Sequence, residues 1–217
     1  MIDFAAARRA MVDNQVRPSD VTRFSLIEAM LWAPRERFVP KAKREVAYAG
    51  AEVELAPGRV LLEPRTFAKM LDAAAIDGDD LVLDLAPGTG YSTAVIAQLA
   101  EAAVAIEPDE EMAKQAQDLL IELDTDNAVV SHGDPASGDA AHGPYDVIFI
   151  NGAVERVPEA LLDQLKQGGR LVALFRERSV GKCHVLSRAG QGISRRYAFD
   201  GDAPVLPGFE KSVEFAF

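Results

Sequence analysis

Over the first forty residues the apolar positions recur every three or four places: Phe4, Ala7, Met11 and Val12, then Phe24, Ile27, Met30 and Leu31. That is the period of an amphipathic helix. It predicts one helix running to about Val16 and stopped by Pro18, and a second capped by Asp20 or Thr22, carrying Phe24 in its buried stripe and ended by Pro34. Between Pro34 and Pro40 a short turn is expected to turn Phe38 and Val39 inward and leave Arg35, Glu36 and Arg37 in water. The pattern then becomes an alternation. Glu52-Val53-Glu54-Leu55 predicts a short strand and Pro57-Gly58 a turn, after which Val60, Leu61 and Leu62 form an apolar loop that needs cover from the sheet edge or from a ligand on it. A helix over residues 65–75 follows, with Phe67, Ala68 and Leu71 inward.

From Leu81 strands and helices alternate. Strands are predicted over 81–85, 104–107, 129–134 with its terminal acid, and 145–152, the last apolar throughout, as expected for a strand buried on both faces. Asp109 caps the helix after the second strand. Pro158 starts another helix that Gly168-Gly169 ends, and a strand over 171–175 follows. Beyond Arg176, short alternating runs at 182–188, 194–199 and 213–217 have no helices between them and should close one sheet edge antiparallel. The expected class is α/β: a Rossmann-like sheet with helices on both faces, antiparallel C-terminal edge strands and a helical N-terminal appendage. Residues 1–75 read as a substrate-covering segment and 76–217 as the sheet domain, packed as one unit.

Candidate chemistry lies at the strand ends. The run 81–85 carries Asp84 and breaks at Ala86-Pro87-Gly88-Thr89-Gly90 before helical spacing resumes. Strand, glycine turn and helix together make a cofactor cradle, in which backbone N–H groups and a helix N-terminus face a ligand that Gly88 and Gly90 allow to come close. A dinucleotide fingerprint would place a third glycine where Thr93 stands, which favours a nucleoside without a pyrophosphate, as in S-adenosylmethionine, over a nucleotide-dependent oxidoreductase. Glu107 lies at the spacing at which an acid meets a ribose hydroxyl pair. Gly133-Asp134 and Asn151 end later strands on the same edge. Asp84, Glu107 and Asp134 are therefore expected to converge on one crevice.

Composition narrows this. The 217-residue chain has a formal net charge of −11, which argues against a nucleic-acid partner. Residues 1–75 hold 12 basic against 10 acidic side chains and the remainder 11 against 24, so an anionic acceptor is favoured near the N-terminal part. A lone cysteine, Cys183, and three scattered histidines suggest neither a disulfide framework nor a metal site. With no apolar run of membrane length and no signal-peptide layout at Met1-Ile2-Asp3-Phe4, a cytoplasmic protein without membrane association is expected.

Taken together, the motifs at 28–30 (Glu-Ala-Met), 34–40 (Pro-Arg-Glu-Arg-Phe-Val-Pro), 84–92, 105–107, 133–134, 145–148 and 157–172 make the chain resemble the protein-L-isoaspartate O-methyltransferase family nearly end to end. The resemblance implies an S-adenosylmethionine-dependent enzyme that methylates the free carboxylate of an isoaspartyl residue in a protein or peptide. It also implies that Asp84 and the turn with Ala86, Gly88, Thr89 and Gly90 hold the methionine part, Glu107 the ribose, and Gly133 and Asp134 the adenine side. Two departures stand out. The family's Thr-Ile-Ser is replaced by Val60-Leu61-Leu62, which removes two hydroxyls that touch cofactor and acceptor and leaves no family catalytic residue at position 62. The family's glycine at position 86 is alanine, which costs on the order of 1 kcal/mol if the backbone there is left-handed. Arg59 and Arg65 flank the altered loop and are candidates to bind the acceptor carboxylate. The alternative is a silent relative acting as a nucleoside-binding or regulatory protein.

Overall fold

The computed structural model describes residues 2–176 and 180–211. The N-terminal part is helical. Helix α1 (Phe4–Met11) is capped by Asp3, whose carboxylate accepts from the Ala6 amide, and continues through a widened turn at Val12–Val16 and a tight one at Arg17–Ser19. Pro18 therefore lies within the last turn instead of stopping the helix before it, at a position where the missing N–H has no partner to lose. Helix α2 spans Phe24–Trp32. Neither Asp20 nor Thr22 caps it: Arg23 is the N-cap residue, without a side-chain bond, and Asp20 adopts the left-handed conformation that closes the preceding turn. Phe24 is 77% exposed, contrary to its expected place in the buried stripe, whereas Leu26, Ile27 and Met30 are buried.

Strands β1 (Val53–Ala56) and β2 (Arg59–Leu61) form a separate antiparallel hairpin, so the expected apolar loop is itself a strand. Helix α3 (Pro64–Ala74) leads into the main sheet. Its remaining elements are β3 (Leu81–Leu85), α4 (Tyr91–Ala97), β4 (Ala102–Glu107), α5 (Glu110–Glu122), β5 (Ala128–His132), β6 (Tyr145–Val154), α6 (Glu159–Asp163), β7 (Leu165–Arg176), β8 (Gly181–Ala189) and β9 (Gly192–Asp200). The strand order is β5-β4-β3-β6-β7-β8-β9; the first five are mutually parallel and the last two antiparallel, as the alternation of periods implied. Helix α6 is shorter than expected. Leu165 already pairs with Tyr145, and Gly168, with φ of 81°, lies at an irregularity inside β7 instead of ending a helix. The strand expected at 213–217 lies outside the described residues.

Alternation along the strands divides the core in two. Val82, Val147 and Phe149 face a cluster that also takes in Met11, Ile27, Met30, Phe38, Phe67 and Tyr91, so the N-terminal helices and one sheet face share a single core. Leu83, Leu85, Ile148 and Ile150 face the other cluster with Leu206 and Phe209. Rings pack in a chain from Phe38 through Tyr91 and Phe67 to Phe149, edgewise at both ends and tilted between Tyr91 and Phe67. The parallel register sets Leu85 beside Ile106, which brings the turn after β3 against the acid that ends β4.

Candidate functional site

Asp84 is fully buried near the end of β3. Its Oδ2 accepts from Ser92 Oγ and Thr93 Oγ1, each at 2.7 Å, and its Oδ1 from Asn151 Nδ2 at 2.5 Å. Burial pushes the Asp84 carboxyl up to about 6 against the lowering effect of these three bonds. Asp84 thus ties the first turn of α4 and strand β6 to β3, and neither it nor the Asn151 amide nitrogen reaches out to a ligand.

The turn that follows has the cradle geometry the sequence implied, at a cost. Ala86 has φ of 57°, so the alanine stands in the left-handed region; the resulting strain is on the order of 1 kcal/mol. Its N–H donates to the Ile106 carbonyl at 2.8 Å. Gly88 and Gly90, with φ of 62° and 92°, take the conformation that glycine supplies. Their open sides, however, meet protein. A Cβ on Gly88 would lie 2.6 Å from Leu55 Cδ1 and one on Gly90 2.8 Å from Ala116 Cβ, so Gly90 serves the packing of α5 and Gly88 faces the β1–β2 hairpin. The Thr89 hydroxyl donates to the Phe38 carbonyl and ties the turn to the 34–40 segment.

Glu107 is also fully buried. Arg59 donates to it through both terminal nitrogens, Nη1 to Oε1 at 2.7 Å and Nη2 to Oε2 at 2.8 Å. The backbone amides of Gly88 and Asp109 donate at 2.7 and 3.1 Å. Arg59 Nη2 further reaches the Ala86 carbonyl at 3.2 Å. Arg59 therefore does not face an acceptor. It lies in the cradle, fork to fork with the acid expected to take the ribose.

Asp134 follows Gly133, whose amide donates to the Glu107 carbonyl at 3.0 Å. It is exposed, and its oxygens accept from the Ala136 amide at 3.0 Å and the Ser137 hydroxyl at 2.7 Å within its own loop. With Pro108, His132, Gly133, Pro207 and Gly208 it lines a groove of about 440 Å³. The expected single open crevice is thus divided: its floor, at Gly88 and Glu107, is filled, and its outer end, at Gly133 and Asp134, is open. Among the acceptor candidates, Val60 is half-buried against the core and Leu62 is buried. Arg65 is half-exposed, 4.0 Å from Glu63, and lines a cavity of about 580 Å³ together with Glu52, Arg176 and Asp202.

Arg35, expected in water, is fully buried. Its Nε donates to the Ala47 carbonyl and its Nη2 to the Leu62 carbonyl, each at 2.6 Å, and its guanidinium lies 5.0 Å from the Tyr91 ring centre. Sequence reasoning also missed Leu55, Ser92 and Thr93. The two hydroxyls stood in plain view after the turn, but the turn directed attention to glycines. Cys183 is buried, its thiol pushed up to about 12 by burial, as expected of a structural cysteine.

The family model for protein-L-isoaspartate(D-aspartate) O-methyltransferase matches residues 6–195. This chain belongs to that family. Among curated members it is 31% identical over 183 residues to the protein-L-isoaspartate O-methyltransferase of Pseudoalteromonas atlantica, covering 83% of this chain and 86% of the relative. It is 34% identical over 188 residues to that of Pelotomaculum thermopropionicum, covering 87% and 82%. A solved protein-L-isoaspartate O-methyltransferase superposes with a TM-score of 0.80 at 22% identity, over 93% of this chain and 66% of that one. A putative family member from Plasmodium falciparum, solved with S-adenosyl-L-homocysteine, superposes with 0.77 at 17%, over 92% and 97%. These likenesses establish the fold.

Proposed function

We propose that the chain is a cytoplasmic S-adenosylmethionine-dependent O-methyltransferase of the protein-L-isoaspartate type, acting on a carboxylate of a protein or peptide, without nucleic-acid or membrane partners. The observation that carries this reading is the buried acid Glu107, hydrogen-bonded to the left-handed glycine turn after β3, in a chain of this family. The donor set fits the cofactor in chemistry: an acid for the ribose hydroxyls, a turn of backbone amides for the methionine end, and Gly133 with Asp134 beside an open groove for the adenine side. Room for the ribose requires Arg59 and Leu55 to leave the turn.

When bound, the cofactor would supply an electrophilic methyl group to an acceptor that is already ionised, so the chain has little proton transfer to perform. Its task is to hold the acceptor oxygen in line and exclude water. Asp84, Ser92, Thr93 and Asn151 fix the turn, and Arg35 fixes the backbone at Leu62. Val60 and Leu62 offer the acceptor no hydroxyl. Arg65, at the mouth of the neighbouring cavity, is the remaining cation of the two candidates, and Glu63 beside it weakens its pull on a carboxylate.

Transfer of labelled methyl from S-adenosylmethionine to an isoaspartyl peptide tests the reading. Slow turnover is expected for the natural chain, with a gain of about tenfold or more in Leu62→Ser, by analogy with other positioning groups, at the cost of some stability because Leu62 is buried. If cofactor binds and neither form methylates any carboxylate, the second reading takes over: a nucleoside-binding or regulatory relative, which Val60 and Leu62 favour.

A further inference from the structure

Two ionised carboxylate oxygens offer about four acceptor sites in all. Glu107 fills them with the two Arg59 nitrogens and the amides of Gly88 and Asp109. Nothing is left for a ribose hydroxyl pair. The adjoining space is taken as well, because Leu55 Cδ1 lies where even a Cβ on Gly88 would collide. Both intruding side chains come from one element, the hairpin of β1 and β2, and both belong to its outer half.

That hairpin is anchored at one end and open at the other. Val53 and Leu61 at its base are buried in the core, and Arg35 holds the next carbonyl, Leu62, at 2.6 Å. At the tip, Pro57 and Gly58 are exposed, and Gly58, with φ of 72°, has open space where a side chain would be. Displacement of the tip alone would leave Val53, Leu61 and the Arg35 contact to Leu62 in place.

We propose that the β1–β2 hairpin is a built-in competitor of the nucleoside: Arg59 occupies the ribose-binding acid and Leu55 the space over Gly88, so that cofactor binds only by displacing the hairpin tip. The identity of the ligand rests on the methyltransferase reading above. The device has a physical reason. A buried carboxylate needs donors on both oxygens, and the Arg59 fork supplies the two that a ribose hydroxyl pair would otherwise give. Because Val60 follows Arg59 directly in β2, displacement of the tip also shifts that acceptor-side residue, while Leu62 stays held by Arg35.

Calorimetric titration of the full chain with S-adenosylhomocysteine, together with melting curves, tests this in the natural protein, Arg59→Ala and Leu55→Ala. Arg59→Ala should melt at a lower temperature without ligand, since Glu107 loses its partner, and yet bind at least tenfold more tightly. Leu55→Ala should bind more tightly with its ion pair intact, which keeps the test open if Arg59→Ala folds poorly. A merely structural arginine would lose stability and affinity together. In the natural chain, added ligand should speed hydrogen exchange at the amides of Leu55, Ala56, Gly58 and Arg59. Unchanged or weaker binding by both variants, with tight binding and methyl transfer by the natural chain, overturns the competitor and leaves the methyltransferase standing. No binding by any of the three overturns both.

Discussion

At the scale of single residues, Asp84 has the clearest solution signature. Its pKa rises from 3.8 to about 6 on folding because burial disfavours the charge more than Ser92, Thr93 and Asn151 favour it. A folded-state pKa above the unfolded one means that the native protein holds the proton more tightly. The group's stabilising contribution is then fully present below about pH 4 and is lost as pH rises through 6. Asp84→Asn removes that dependence while keeping a polar group for the same partners. The stability of Asp84→Asn relative to the natural chain should therefore rise by roughly 2 kcal/mol between pH 4 and pH 7, measured by urea denaturation at each pH. Parallel stability curves would contradict the assignment. An acid at a strand end next to a glycine turn was legible from the sequence. Its inward orientation was not, since it depends on hydroxyls eight and nine residues later folding back over it.

Among the elements, the 34–40 segment departed furthest from its reading, for a reason of period. Arg35–Phe38 is a 3₁₀ turn, in which positions three apart share a face, so Arg35 turns inward together with Phe38. The sequence showed a charged trio and suggested a solvated one. The buried guanidinium bridges the Ala47 and Leu62 carbonyls beneath Tyr91, and burial lowers its pKa. A lysine ammonium cannot span both carbonyls with a planar fork. Arg35→Lys should accordingly lower stability by about 2–4 kcal/mol and loosen the backbone at Leu62, read as faster amide exchange over residues 60–63. Wild-type stability in that variant would remove Arg35 as the clamp between the N-terminal helices and the acceptor loop. Helix caps were legible only where the side chain does the capping: Asp109 accepts from Met112, as expected, whereas α2 starts without such a bond.

For the molecule as a whole, the parallel sheet, its antiparallel edge and the side of the sheet that carries the polar strand ends were all contained in local periodicity. What closes the site was not. Arg59 and Glu107 are 48 residues apart, and nothing in either segment alone shows that a hairpin outside the sheet folds over the turn after β3. The need for cover over 60–62 was legible, and Arg59 beside that stretch read as a candidate for the acceptor carboxylate and not as a partner of Glu107. The outcome, that the hairpin itself covers the cradle, required the tertiary structure. A family methyltransferase that carries its own occupant in the ribose position is most directly tested by a crystal structure of the chain with S-adenosylhomocysteine. The expected result is the ribose hydroxyls on Glu107, Arg59 withdrawn from it and the hairpin tip displaced from Gly88. A bound nucleoside with the Arg59 fork still closed on Glu107 would contradict it.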